Sequence, residues 1–136
     1  MGESNDTIFV VDDDESILKA LKRLIKSVGF KVETFSSARE FLDYGYGERA
    51  GLLILDIRMS EMSGVELQKR LVESGSKMPI IFITAHGNEE TCRVAMEAGA
   101  VAFFQKPFED QALLDAICTG VGENPSECKK KGARYN

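Results

Sequence analysis

Short apolar runs alternate with amphipathic helical patterns along most of this sequence, and three of the runs stop at a polar residue. Thr7–Val11 is apolar and β-branched and stops at Asp12. Ser16–Val28 follows, with Ile17, Leu18, Leu21, Leu24, Ile25 and Val28 at the i, i+3, i+4, i+7 spacing of a half-buried helix. Gly29 is placed to end it. Lys31–Phe35 reads as a second strand, and Ser37–Tyr44 as a short helix capped by Ser36 or Ser37. Leu52–Leu55 is wholly apolar and stops at Asp56. Gly64–Glu73 is helical, with Val65, Leu67, Leu71 and Val72 as its apolar positions. Ile80–Ile83 follows Pro79 and stops at Thr84. Glu89–Ala98 is helical up to Gly99, Val101–Phe104 is a fifth strand, and Ala112–Ile117 is the centre of a last helix.

A strand–helix pair repeated five times implies an α/β fold, a doubly wound parallel sheet with helices on both faces. The runs LLIL and IIFI suit central strands buried on both sides. A chain of 136 residues makes one domain and buries enough surface to need no covalent staple. Its apolar runs are far shorter than the roughly 20 residues of a membrane span. The polar start, residues 1–6, does not resemble a secretion signal. The net charge of −5 argues against a domain that binds nucleic acid by itself. Three cysteines, Cys92, Cys118 and Cys128, form no CxxC motif and are expected as reduced thiols in the cytoplasm. The alternation fails after Thr119. Residues 121–136 carry Gly, Pro, a lysine run and a net charge of +2, leaving −7 on residues 1–120. They read as a linker or a basic tail after a domain spanning 1–120.

The polar residues that end the strands carry the chemistry. In a parallel sheet the carboxyl ends of the strands lie along one rim, and ligands bind outside that rim. Asp12, Asp13, Asp56 and Thr84 should therefore converge, with Lys106 after the fifth strand joining them. Clustered carboxylates repel unless a cation sits among them. Oxygen ligands of this kind suit Mg²⁺. A carboxylate can also act as a nucleophile and form an aspartyl phosphate. Such a transfer asks for positioning and charge neutralisation, which Lys106 and the Thr84 hydroxyl can supply. Singly, each residue has a plainer role. Asp13 or Asp14 caps the first helix, Thr84 ends a strand, and Lys106 before Pro107 is a solvated loop lysine.

Together, VVDDDES (10–16), LLILDIRMSEMSG (52–64), IIFITAHG (80–87) and GAVAFFQKPF (99–108) resemble the receiver domain of bacterial two-component response regulators. The resemblance covers residues 7–120. It implies a (βα)5 flavodoxin-like fold with strand order 2-1-3-4-5. It makes Asp56 the phosphoacceptor and Asp12 and Asp13 the acidic pair of a Mg²⁺ site. The backbone carbonyl of Arg58 completes the coordination. Thr84 and Lys106 become the switch hydroxyl and the phosphoryl-binding lysine, Phe103 the aromatic switch, and Lys106–Pro107 a cis peptide. It further implies a phosphorylation-activated signalling switch fed by a histidine kinase or a phosphotransfer protein. Such a switch catalyses only its own phosphorylation and dephosphorylation.

Output is expected through the face of the fourth helix, fifth strand and fifth helix, by homodimerisation when phosphorylated. On the fourth helix Arg93, Val94 and Glu97 should point outward, with Cys92, Ala95 and Met96 inward. ITAHGN with FFQKPFED further resembles receivers joined to LuxR-type helix-turn-helix domains. DNA would then be reached by an output domain beyond Asn136. A single-domain receiver working by protein contact or in a phosphorelay is the alternative. Ser60 stands where the family usually has proline, which should loosen that loop. Small Ala85 leaves room over the phosphoryl group, and His86 is expected as an exposed loop residue. A phosphohydrolase of the haloacid-dehalogenase type needs a second acid two residues after its nucleophile, where this chain has Arg58. An EF-hand starting at Asp12 would have Ile17 for its glycine and Arg23 for its last glutamate. A flavodoxin would need a phosphate loop after the first strand, where DDDES stands instead.

Overall fold

A computed structural model describes residues 7–44, 51–59, 61–85 and 87–122. Strands and helices alternate as β1 (Thr7–Val11), α1 (Glu15–Lys26), β2 (Lys31–Phe35), α2 (Ala38–Tyr44), β3 (Gly51–Asp56), α3 (Gly64–Glu73), β4 (Ile80–Thr84), α4 (Glu89–Glu97), β5 (Ala102–Gln105) and α5 (Asp110–Gly120). The helix starts follow from their capping side chains. Asp14, rather than Asp13, caps α1, its carboxylate accepting from the Ser16 N–H at 2.9 Å. Ser63 and Glu66 form a reciprocal capping box at α3, and Asn88 accepts from the Thr91 N–H at 2.8 Å to open α4.

All strand pairs are parallel, and the sheet order is β2-β1-β3-β4-β5. Alternate residues of each central strand point to opposite faces. Ile8, Val10, Leu52, Ile54, Ile81 and Ile83 pack under α1 and α5. Phe9, Val11, Leu53, Leu55 and Phe82 face α2, α3 and α4. Both faces of β1, β3 and β4 are thus covered, so their runs are apolar without alternation.

Several packing expectations change. β5 begins one residue later than predicted. It is an edge strand whose residues are only partly buried, Ala102 and Phe104 against one core and Phe103 against the other, so its ends are weakly marked in the sequence. On α3, Gln68 lies in the core at 2% exposure while Val72 is 55% exposed. The buried stripe runs Gly64, Leu67, Gln68 and Leu71, the geometric set of one helix face. On α4, Ala95 is the one buried residue. Cys92 is half-buried, and Met96, expected inward, is 41% exposed. A contact that narrow leaves no room for a second inward stripe.

Cys92 is a free thiol, but Cys118 is disulfide-bonded rather than reduced. Sulfurs join only where the fold brings their Cα atoms within about 7 Å, which spacing in sequence does not reveal. The greater part of the predicted linker, residues 123–136, lies outside the described residues, as does Cys128. Among the described residues no helix is long and apolar enough to cross a membrane.

Candidate functional site

The rim at the carboxyl ends of the strands gathers the predicted residues. Val11 of β1 pairs with Leu55 of β3, so Asp12 and Asp56 follow side by side. Asp56 in turn pairs with Ile83, next to Thr84 at the end of β4. Asp12 and Thr84 are fully buried and Asp56 is 6% exposed, whereas Asp13 is exposed. Ligand oxygens of Asp12, Asp13 and Asp56 all lie within 4.8 Å of one another. Asp12 accepts from the Asp14 N–H at 2.9 Å and from Lys106 Nζ at 3.1 Å. The Lys106 N–H donates to the Thr84 carbonyl at 2.8 Å, which brings the lysine to this edge. Lys106–Pro107 is cis, as the resemblance implied. The start of α3 rests on the end of β3. A Cβ at Gly64 would lie 2.3 Å from the Asp56 carbonyl oxygen, so the close approach requires glycine.

Charge is unbalanced at Asp56. Its Oδ1 is buried with no hydrogen-bond partner among the described residues. Burial pushes its carboxyl pKa up from 3.8 to about 6, helped by the charges of Asp12 and Asp13. Lys106 and the backbone N–H of Arg58 pull the other way without cancelling the rise. A divalent cation fits this set. It would give the orphaned Oδ1 a partner and offset the repulsion among three carboxylates.

Comparison with protein families matches residues 8–118 to the response regulator receiver domain. The chain belongs to this family. The response regulator protein TmoT of Ectopseudomonas mendocina is 44% identical to the receiver over 127 residues, covering 93% of this chain and 58% of TmoT. The transcriptional regulatory protein FixJ of Rhizobium meliloti is 42% identical over 111 residues, covering 82% of this chain and 54% of FixJ. Among solved structures, the response regulator StyR superposes with a TM-score of 0.82 at 47% identity, covering 96% of this chain and 65% of that one. The chain thus spans little more than half the length of the two curated relatives.

The receiver's remaining predicted residues divide. The Arg58 side chain is exposed, and its backbone N–H donates to the Asp56 carboxylate. Phe103 is half-buried with its ring 6.3 Å from that of Phe82. Arg93, Val94 and Glu97 face outward as expected. Arg93 is held by Glu90 at 2.6 Å and Glu97 at 3.1 Å, so the ordinary i, i+3 and i, i+4 pairing of a solvated helix is present too. Ser60 and His86 lie outside the described residues.

Sequence reasoning missed Gly87. A Cβ there would lie 2.7 Å from the Thr84 methyl and 2.9 Å from Phe103 Cζ, so a glycine lets those two side chains share one space. A lone glycine in a loop gives no hint of that.

Proposed function

We propose that this receiver is a switch operated by phosphorylation of Asp56. The observation that carries the reading is the buried, unpartnered Oδ1 of Asp56 among carboxylates, with Lys106 close by on Asp12. Asp12, Asp13 and Asp56, with the Arg58 carbonyl, would hold Mg²⁺. When bound, the ion supplies positive charge to the carboxylate and phosphoryl oxygens. The Asp56 carboxylate attacks the phosphorus of a phosphohistidine on a histidine kinase or phosphotransfer protein. A P–O bond forms to Asp56 as the P–N bond breaks. Lys106 turns from Asp12 to the phosphoryl oxygens, and the Thr84 hydroxyl donates to them. Thr84 then leaves space beside Phe103, and the α4–β5–α5 face rearranges. Water later hydrolyses the acyl phosphate, and these two reactions on its own aspartate are the only ones the receiver promotes.

Control of transcription is supported by the name of the FixJ relative, and the partial coverage of its length leaves room for a DNA-binding part outside this chain, with the whole acting in the cytoplasm. Phosphoryl uptake is expected to require the cation. Intact mass should show one added phosphate with Mg²⁺ and a small phosphodonor, and none in EDTA; Asp13→Ala should weaken Mg²⁺ binding. Unchanged labelling in EDTA would remove the metal from the scheme. Beryllofluoride, a phosphoryl mimic, should convert the receiver to a dimer in sedimentation at about 100 μM, where association worth roughly 5 kcal/mol is visible. A monomer in both states would place output in contacts with another partner.

A further inference from the structure

We infer that Gln68 is a latch that holds α4 in its resting position and so weights the receiver against its phosphorylated form. The inference rests on the switch proposed above and names a regulating residue outside the rim. Gln68 lies on α3 at 2% exposure, and its Nε2 donates to the carbonyl of Ala95 on α4 at 3.1 Å. Ala95 is the one buried residue of α4, so little apolar contact fixes that helix.

The last turn of α4 has no basic residue to meet its carbonyls. Those of Val94, Ala95 and Met96 accept from the N–H groups of Ala98, Ala100 and Gly99. Gln68 adds to Ala95 a second donor that comes from another helix.

The two ends of α4 therefore differ. Its N-terminal end follows Gly87, which sits against Thr84 and Phe103. Its C-terminal end is bonded to α3, whose own first residue rests on the backbone of Asp56. If Thr84 and Phe103 rearrange, α4 moves against the Gln68 bond. A buried amide that loses its acceptor also loses its compensation for leaving water. The latch can nonetheless open. Gln68 borders a cavity of about 450 Å³ between the C-terminal ends of α3, α4 and α5, lined also by Ser76, Lys77 and Thr119. Its amide can find polar partners there. A bond made in one state and not in the other shifts the equilibrium by its own worth, and linkage passes that shift to the phosphoryl site.

The test replaces the donor with apolar groups of similar reach, Gln68→Met and Gln68→Leu. Beryllofluoride with Mg²⁺ is titrated into the full chain and followed by amide resonances. Both variants should bind about fivefold more tightly than the wild type, the equilibrium worth of one typical hydrogen bond. Equal affinity, with stability alone reduced, would make Gln68 a packing residue and overturn the latch.

A second measurement needs no variant. The side-chain amide protons of Gln68, protected at rest, should exchange faster once beryllofluoride binds to the wild type. Unchanged protection also overturns the latch. If beryllofluoride leaves the α4 resonances of the wild type unmoved, the switch itself fails. If they move while the variants bind equally well, only the latch fails.

Discussion

An Asp56→Asn receiver should gain no detectable phosphate from a small phosphodonor, at least about a hundredfold less than the wild type under the same conditions. The amide has no negative oxygen to offer phosphorus, while its shape and volume match the carboxylate it replaces. Neighbouring carboxylates cannot take over. Both oxygens of Asp12 are engaged, one by the Asp14 N–H and one by Lys106. Asp13 is exposed, so its charge is hydrated. Asp56 alone combines burial with a carboxylate oxygen that nothing else occupies. Uptake by the variant equal to that of the wild type, read by intact mass, would move the phosphoacceptor elsewhere.

The rim could be read from sequence because parallel topology does the gathering. Once TIFVV, LLIL and IIFI are central strands, Asp12, Asp56 and Thr84 must share an edge, whatever their separation along the chain. What could not be read depends on distances between elements. The choice between Gln68 and Val72 turns on where α3 meets α4, and hydrophobicity alone favours the wrong one. Met96 is apolar yet exposed because α4 buries a single alanine. Gly87 matters through the space between Thr84 and Phe103, which belongs to three separate segments. Arg58 presents its N–H to Asp56 through the local turn of the backbone, and its side-chain type has no part in that. The family's role for Phe103 came from resemblance. The structure supplies its neighbours, Phe82 and Gly87.

The same substitution, Asp56→Asn, should stabilise the fold at neutral pH. The Asp56 carboxyl sits at about 6 in the folded protein against 3.8 when unperturbed, so folding favours its protonated form. Between those values the folded state holds more protons than the unfolded one, and stability falls as pH rises. The loss is complete above about 6, where the ionised carboxylate is buried beside Asp12 at a cost of about 3 kcal/mol. Asparagine never ionises and avoids that cost. Urea unfolding at pH 7 in EDTA should therefore show the variant about 3 kcal/mol more stable than the wild type. The gap should shrink as pH falls through 6 and close below 3.8, where Asp56 is protonated in both states. Mg²⁺ should narrow it from the other side at pH 7, since a cation among the three carboxylates stabilises the ionised wild type and has lost one ligand charge in the variant. The difference between the two proteins isolates Asp56 from the other carboxylates that titrate over the same range. A variant less stable than the wild type at pH 7, or a gap that does not change with pH, would show that Asp56 is not held at a cost and would remove the electrostatic argument for a cation at this rim.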